Sequence, residues 1–267
     1  YYRKSVDDGR TFSKAVDITG TFELFRKDYD WKVLATGPGH GLRTRSGRLI
    51  VPVWLSAGSG GHAHRPSAVS VIYSDDSGDS WKRGELVAAD PSTKALRATD
   101  IPEIRNPGET VAIQLQDGRI LLNLRNESTR RRRAISISAD GISRWSRYHF
   151  DDALIEPICM GSIVRLSERP RHRKNRILFA NPHNPASRAR QNVSVKLSYD
   201  EAKTWPVMKT IEAGPSAYTD LAVGSDGTIY CFYERGKAGR LTKSLCLATF
   251  SLEWLSGGAD RLISPSK

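Results

Sequence analysis

Four side chains in this 267-residue sequence could together hold and act on an anion: Glu109, Arg125, Arg190 and Tyr218. Glu109, in Asn106-Pro-Gly-Glu109-Thr, opens an apolar run, and Arg125 ends the next apolar run sixteen residues on. Arg190 immediately precedes the strand-like segment from Asn192 to Ser198, and Tyr218, in Ser216-Ala-Tyr218-Thr-Asp220, stands just before another. A guanidinium is a planar fork that grips a carboxylate through two parallel hydrogen bonds. Two arginines, one acid and one phenol on separate strands therefore describe a pocket for a carboxylate-bearing ligand. The condition is a fold that gathers the ends of these strands around one axis.

Repeated turns supply such a fold. Ser5-Val-Asp7-Asp-Gly9-Arg-Thr11-Phe12, Ser74-Asp-Asp76-Ser-Gly78-Asp-Ser80-Trp81 and Ser198-Tyr-Asp200-Glu-Ala202-Lys-Thr204-Trp205 share one octet pattern, with Ala202 in place of glycine in the third. A frayed copy, Ser138-Ala-Asp140-Gly-Ile-Ser143-Arg-Trp145, keeps the ends and misplaces the glycine. Short Ser, Asp and Thr side chains bond nearby backbone groups and so build tight turns. Glycine takes the positive φ, and the aromatic folds back as a plug. Asp7, Asp76 and Asp200 are accordingly turn-builders, not catalytic acids. First serines at 5, 74, 138 and 198 set a repeat of about 60 to 70 residues, the length of a four-stranded propeller blade.

A second repeated element agrees. Ser46-Gly47, Asp117-Gly118 and Asp226-Gly227 each make a hairpin turn into an apolar strand, and Arg169 to Arg176 reads as the same hairpin with a longer polar loop. The unit is an antiparallel meander, and long amphipathic helical patterns are absent. The fold class is all-β, with about four blades over residues 1–267 and no interdomain linker. Four blades leave a ring with unpaired edges, so further blades are expected upstream of Tyr1.

Composition narrows the function. Hydrophobic residues are 39% of the chain, and no apolar stretch nears the roughly 18 residues of a membrane helix. The net charge of +12 favours anionic partners of any kind. Arg130-Arg131-Arg132-Arg133 lies between two strand-like segments and reads as a solvated loop rather than a nucleic-acid clamp, since no nucleic-acid motif or interleaved aromatics accompany it. Cys159, Cys231 and Cys246 show no metal-like spacing and read as buried thiols, with a Cys231–Cys246 bridge as the alternative. His40, His62 and His64 match no metal spacing and read as loop histidines.

The octets, the segment Glu109 to Arg125, the run Arg190-Gln-Asn-Val-Ser-Val and Ala217-Tyr218-Thr219 resemble the bacterial-type exo-α-sialidases of glycoside hydrolase family 33, six-bladed propellers marked by such "Asp boxes". The intervals of sixteen residues from Glu109 to Arg125 and from Tyr218 to Glu234 match that family's spacing. The resemblance implies that Tyr218 is the nucleophile and Glu109 the carboxylate that takes its proton. It makes Arg125 and Arg190 the second and third members of a three-arginine carboxylate clamp, with Arg188 as the alternative to Arg190. Glu234 becomes the acid that orients the first clamp arginine. That first arginine and the acid/base aspartate have no match here and are expected upstream. The implied reaction is hydrolysis of terminal sialic acids from glycans or gangliosides, with no metal or organic cofactor. The competing reading is a non-catalytic propeller that binds acidic glycans or acts as a scaffold.

Overall fold

The computed structural model describes residues 1–59, 61–93, 103–237 and 240–262. They form four antiparallel sheets in chain order. Sheet I contains β1 (Val33–Thr36), β2 (Leu42–Arg43), β3 (Leu49–Ser56), β4 (Ser67–Ser74), β5 (Lys82–Arg83) and β6 (Ala88–Ala89). Sheet II contains β7 (Thr110–Gln114), β8 (Ile120–Leu124), β9 (Arg132–Ser138) and β10 (His149–Ile155). Sheet III contains β11 (Ser162–Ser167), β12 (Arg176–Pro182), β13 (Gln191–Ser198) and the first part of β14 (Val207–Val223). Sheet IV is the rest of β14 with β15 (Ile229–Lys237) and β16 (Arg240–Phe250). The architecture is the all-β propeller that the repeats predict, with one octet in each of sheets I, II and III, the first octet ahead of sheet I and no octet in sheet IV.

Period-two alternation explains how the sheets stack. Ile120, Leu122 and Leu124 of β8 join Ile50, Val69 and Val71 in a core between sheets I and II. The intervening Leu121 joins Ile163, Ile177 and Phe179 between sheets II and III. Leu178, Val193, Val195 and Leu197 meet Leu221, Ile229 and Cys231 between sheets III and IV. Both faces of a middle sheet are buried, so its strands read as nearly continuous apolar runs. Truncating one of these side chains, such as the fully buried Leu122 to Ala, costs about 2–5 kcal/mol. The outer face of sheet I is covered by α1 (Thr19–Glu23) and the turn after it, through Phe22, Phe25, Tyr29 and Trp31. The second helix, α2 (Leu252–Leu255), packs Leu252 and Leu255 onto the core between sheets III and IV.

The octets at Ser74, Ser138 and Ser198 each join the third strand of a sheet to the fourth. Their bonds recur: Gly78 N–H donates to Ser74 Oγ at 2.7 Å, Ser80 N–H to Asp76 Oδ1 at 2.9 Å, and Ser74 Oγ to Asp76 Oδ1 at 2.7 Å. The third octet keeps these bonds although Ala202 must sit at φ 64°. The frayed copy closes one residue sooner, with Ser143 N–H on Asp140 Oδ1 at 2.8 Å. The first octet is flanked by the bridge Tyr2–Val16, and its Phe12 is 59% exposed, so there the plug is open.

The arginine run is the reading that the structure corrects. Arg132 and Arg133 belong to β9, and Arg133 is completely buried, donating to Glu156 at 2.7 Å; Glu156 is also completely buried. Alternation along β9 turns every second residue inward, so a basic run entering a strand must bury a charge and needs an acid to meet it. Among the cysteines, all three are free thiols; Cys159 and Cys231 are buried and Cys246 is half-buried.

Candidate active site

The first strands of the sheets converge on the axis, where β7 contacts β11 and β11 contacts β14. The loop from Gly37 to Gly41, between β1 and β2, enters the same centre. A Cβ on Gly39 would lie 2.6 Å from the Met160 methyl, which would have to swing aside, and 3.6 Å from Asp220. Its neighbour His40 bonds Asp220 at 2.7 Å through Nδ1, and Ser162 Oγ donates to the same carboxylate at 2.9 Å. The Asp220 hydrogen bond raises the His40 pKa. Burial alone would raise the Asp220 carboxyl, but His40 and Ser162 hold it below its usual range.

Glu109 and Arg125 are placed by one hairpin. Glu109 stands one residue before β7 and Arg125 one after β8, and Arg125 N–H donates to the Glu109 carbonyl at 3.3 Å. Their side chains form an ion pair, each 17% exposed. Tyr218 arrives from sheet IV. Its hydroxyl donates to Glu109 Oε1 at 2.7 Å and accepts from Arg125 Nη1 at 3.0 Å. Burial, then the bond to Glu109, push the phenol up to about 12, with Arg125 pulling the other way. Burial works against charge on Arg125, yet Glu109, Tyr218 and Glu156 together raise its pKa.

The sequence places Tyr218 ahead of a strand; the structure places it inside one. β14 runs seventeen residues, pairing with β13 as far as Pro215 and with β15 from Ser216. The switch falls at Gly214, whose φ of +84° turns the chain, while its N–H donates to Asn192 Oδ1 at 2.9 Å. Between Ser216 and Thr219 the register with β15 shifts, and this bulge re-aims Tyr218. The Tyr218 N–H freed from the ladder donates to Glu234 Oε2 at 3.1 Å. Glu234 thus holds the backbone of Tyr218, and among the described residues no guanidinium forms an ion pair with it.

Arg190, one residue before β13, sets its guanidinium carbon 5.3 Å from the centre of the Tyr218 ring and donates to the Ile158 carbonyl. Arg188 lies elsewhere, donating to the backbone carbonyls of Glu127, Ser128 and Glu156. Of the two arginines, Arg190 is the one against Tyr218.

A cavity of about 240 Å³ opens over Glu109, Arg125 and Tyr218 and is walled by Trp54, His64 and Asn106. His64 lies against the Trp54 indole with ring centres 5.0 Å apart. His40 and His64 lie in loops, as the sequence indicates, but their contacts with Asp220 and Trp54 have no local signal in the sequence. A larger cavity of about 530 Å³, lined by Arg169, Arg173, Lys174 and Arg176, lies on the β11–β12 hairpin. That is the other end of the strands from Tyr218, and its acid Asp260 is already bonded through both oxygens to Arg176. Among the described residues no group of three or more His, Cys, Asp or Glu could hold a metal ion, and no helix is long and apolar enough to cross a membrane.

Fold and site together define a β-propeller whose axial pocket is lined by Tyr218, Glu109 and Arg125. The chain belongs to the BNR repeat-like domain family, which it matches over residues 1–231. It is 30% identical over 263 residues to a sialidase of Micromonospora viridifaciens, covering 95% of this chain and 35% of that one. It is 26% identical over 240 residues to a sialidase of Bacteroides fragilis, covering 88% and 39%. The fold is shared with the Hadza microbial sialidase Hz136, with a TM-score of 0.74 at 24% identity over 95% of this chain and 44% of that one. A leech intramolecular trans-sialidase superposes with a TM-score of 0.70 at 22% identity, covering 96% and 37%. The chain spans a little over a third of the length of these two curated relatives.

Proposed function

We propose that this chain carries the nucleophile half of an exo-α-sialidase site, releasing terminal sialic acids from glycoconjugates with retention through a tyrosyl intermediate. The observation that carries the reading is the Tyr218–Glu109 hydrogen bond of 2.7 Å. An anomeric carbon that bears a carboxylate repels an anionic nucleophile, whereas a neutral phenol approaches it freely. Sialidases with a tyrosine nucleophile are an exception to the two-carboxylate pattern of glycosidases. Tyr218 Oη would bond the anomeric carbon as the bond to the leaving oxygen breaks, and the phenolic proton would pass to Glu109. The leaving oxygen takes its proton from solvent or from an acid outside these side chains. Water then attacks the same carbon and gives up a proton to solvent while the carbon–Oη bond breaks and Glu109 returns its proton to Oη, and the second inversion gives net retention. Arg125 and Arg190 would hold the substrate carboxylate in ground and transition states alike, which gives orientation and specificity.

The test is a trapping experiment. Incubation with a 3-fluorosialosyl fluoride, whose ring fluorine slows release of the intermediate, should add one 3-fluorosialosyl mass to a peptide containing Tyr218 as the anomeric fluoride leaves. Tyr218→Phe should remove the adduct; an adduct elsewhere sinks the assignment. The net charge of +12, which draws anions without any need for chemistry, favours a second reading, a propeller that binds acidic glycans without turnover. That reading predicts sialic acid binding with no adduct at all.

A further inference from the structure

The turn Glu156-Pro157-Ile158-Cys159, leading from β10 toward β11, breaks a local rule. Proline suits the first central position of such a turn, and the second, where φ is positive, calls for Gly or Asn. Here it holds Ile158 at φ 60°, a β-branched side chain in the left-handed region. Strain of this kind persists where the surroundings over-determine it, and it clusters at ligand clamps and active sites.

The surroundings do so here. Glu156 Oε1 accepts from Cys159 N–H at 2.9 Å and closes the turn. Glu156 Oε2 is held by Arg133 Nη1 at 2.7 Å and Asn126 N–H at 3.3 Å, and the same Arg133 nitrogen reaches the Cys159 carbonyl at 3.1 Å. Arg133 and Glu156 are both wholly buried. What the turn delivers is one carbonyl, that of Ile158, which accepts from Arg190 and leaves that guanidinium over the Tyr218 ring.

We infer that the buried Arg133–Glu156 pair, acting through the strained Pro157–Ile158 turn, is a positioning device that sets Arg190 over Tyr218 and turns its free edge to the ligand carboxylate. This rests on the reading of Arg190 as a carboxylate-binding residue. A pair kept for stability alone would leave Arg190 unmoved when replaced by well-packed apolar side chains, a change that buried ion pairs often tolerate.

Two variants separate the cases: Arg133→Met combined with Glu156→Leu, and Ile158→Gly, which suits the positive φ and keeps the carbonyl. Three readouts apply to each: urea unfolding, affinity for N-acetylneuraminic acid, and the NMR signal of the Arg190 side-chain N–H, shifted by the Tyr218 ring and calibrated with Tyr218→Leu. The paired replacement should unfold somewhat earlier, because Asn126 N–H and Cys159 N–H lose their acceptor, and it should lose the ring shift and bind about tenfold more weakly, the loss of one oriented charged hydrogen bond. Ile158→Gly should keep both shift and affinity and unfold no earlier. A paired variant that keeps the ring shift overturns the inference, as does an Ile158→Gly variant that loses it. Should the paired variant not fold, Ile158→Gly decides alone. If the unaltered chain does not bind N-acetylneuraminic acid, the functional reading fails, while the Arg190 signal still judges the positioning.

Discussion

Replacing Glu109 by Gln should lower the pKa of the Tyr218 phenol, and the size of the drop follows from the geometry. A phenolate at Tyr218 would stand 2.7 Å from a Glu109 oxygen and 3.0 Å from an Arg125 nitrogen. At an effective dielectric of 20 the repulsion and attraction are roughly 6 and roughly 5.5 kcal/mol. They nearly cancel, which leaves burial as the main reason the phenol is pushed up to about 12. Glu109→Gln keeps the burial, removes the repulsion and leaves Arg125 unopposed. With solvent screening in a half-open site reducing the gain several-fold, roughly 1.4–2.8 kcal/mol survives, or about one to two pKa units. Tyr218 should then titrate near pH 10 to 11. The chain has nine tyrosines, and Tyr29, Tyr199 and Tyr233 are also pushed up to about 12, so bulk absorbance cannot resolve one phenol. Carbon-13 labelling of the tyrosine ζ carbon, with Tyr218→Phe to assign the signal, can. Arg125→Met should move the phenol the opposite way. An unchanged Tyr218 titration in Glu109→Gln would refute the claim that these charges oppose one another at the phenol.

Ala202→Gly should stabilise the chain by about 1 kcal/mol by relieving a left-handed alanine, seen as a rise of about 2 °C in thermal unfolding. Arg133→Ala should cost about 3–5 kcal/mol in urea unfolding, because it strands the buried Glu156 carboxylate without a partner. The His40–Asp220 pair sets a pH window. The contribution of His40, whose pKa is raised, is complete below its ordinary 6.5 and fades as pH rises through the folded value; that of Asp220, lowered from 3.8, fades as pH falls through its folded value. Thermal stability measured from pH 5 to 9 should therefore decline on the alkaline side, and His40→Ala should flatten that limb; an unchanged slope would show the pair to be inert.

What could be read from the sequence follows how far each interaction reaches along the chain. The octets bond within eight residues and the hairpins within a few more, so turns, strands and blade count follow from composition at each position. Glu109 and Arg125 are partners across one hairpin, and alternation suffices to face them toward each other. Tyr218 meets them from 109 and 93 residues away, and no periodicity carries that contact; only the likeness to a known family did. Gly214 and Pro215 lie inside one long strand because its two halves serve different sheets. His40 was set aside for the same reason that Tyr218 needed help: its partner Asp220 is 180 residues on. Arg133 misled because a run of like charges looks solvated, and the acid that makes its burial possible lies 23 residues beyond the run.

The features that announce the fold and those that could do chemistry occupy opposite ends of the same strands. Glu109, Arg125, Arg190 and Tyr218 cluster where the first strands begin. The octets gather where those strands end, beside the hairpins: Glu201 of the third octet accepts from Gln116 N–H at 2.7 Å and pairs with Arg165 at 2.6 Å. Between the two ends run only the apolar strands of the blades. A propeller of this kind can therefore keep its turns and cores while its axial pocket is rewritten, so the octets are evidence for architecture and say nothing about turnover. The separation has a measurable consequence. Asp76→Ala removes the carboxylate that accepts from Ser80 N–H and Oγ and should lower the unfolding midpoint while leaving the Tyr218 titration unchanged. Glu109→Gln should do the reverse. If octet variants moved the phenol as much as Glu109→Gln does, the two ends would be coupled through the strands and the site could not be rewritten independently of the fold.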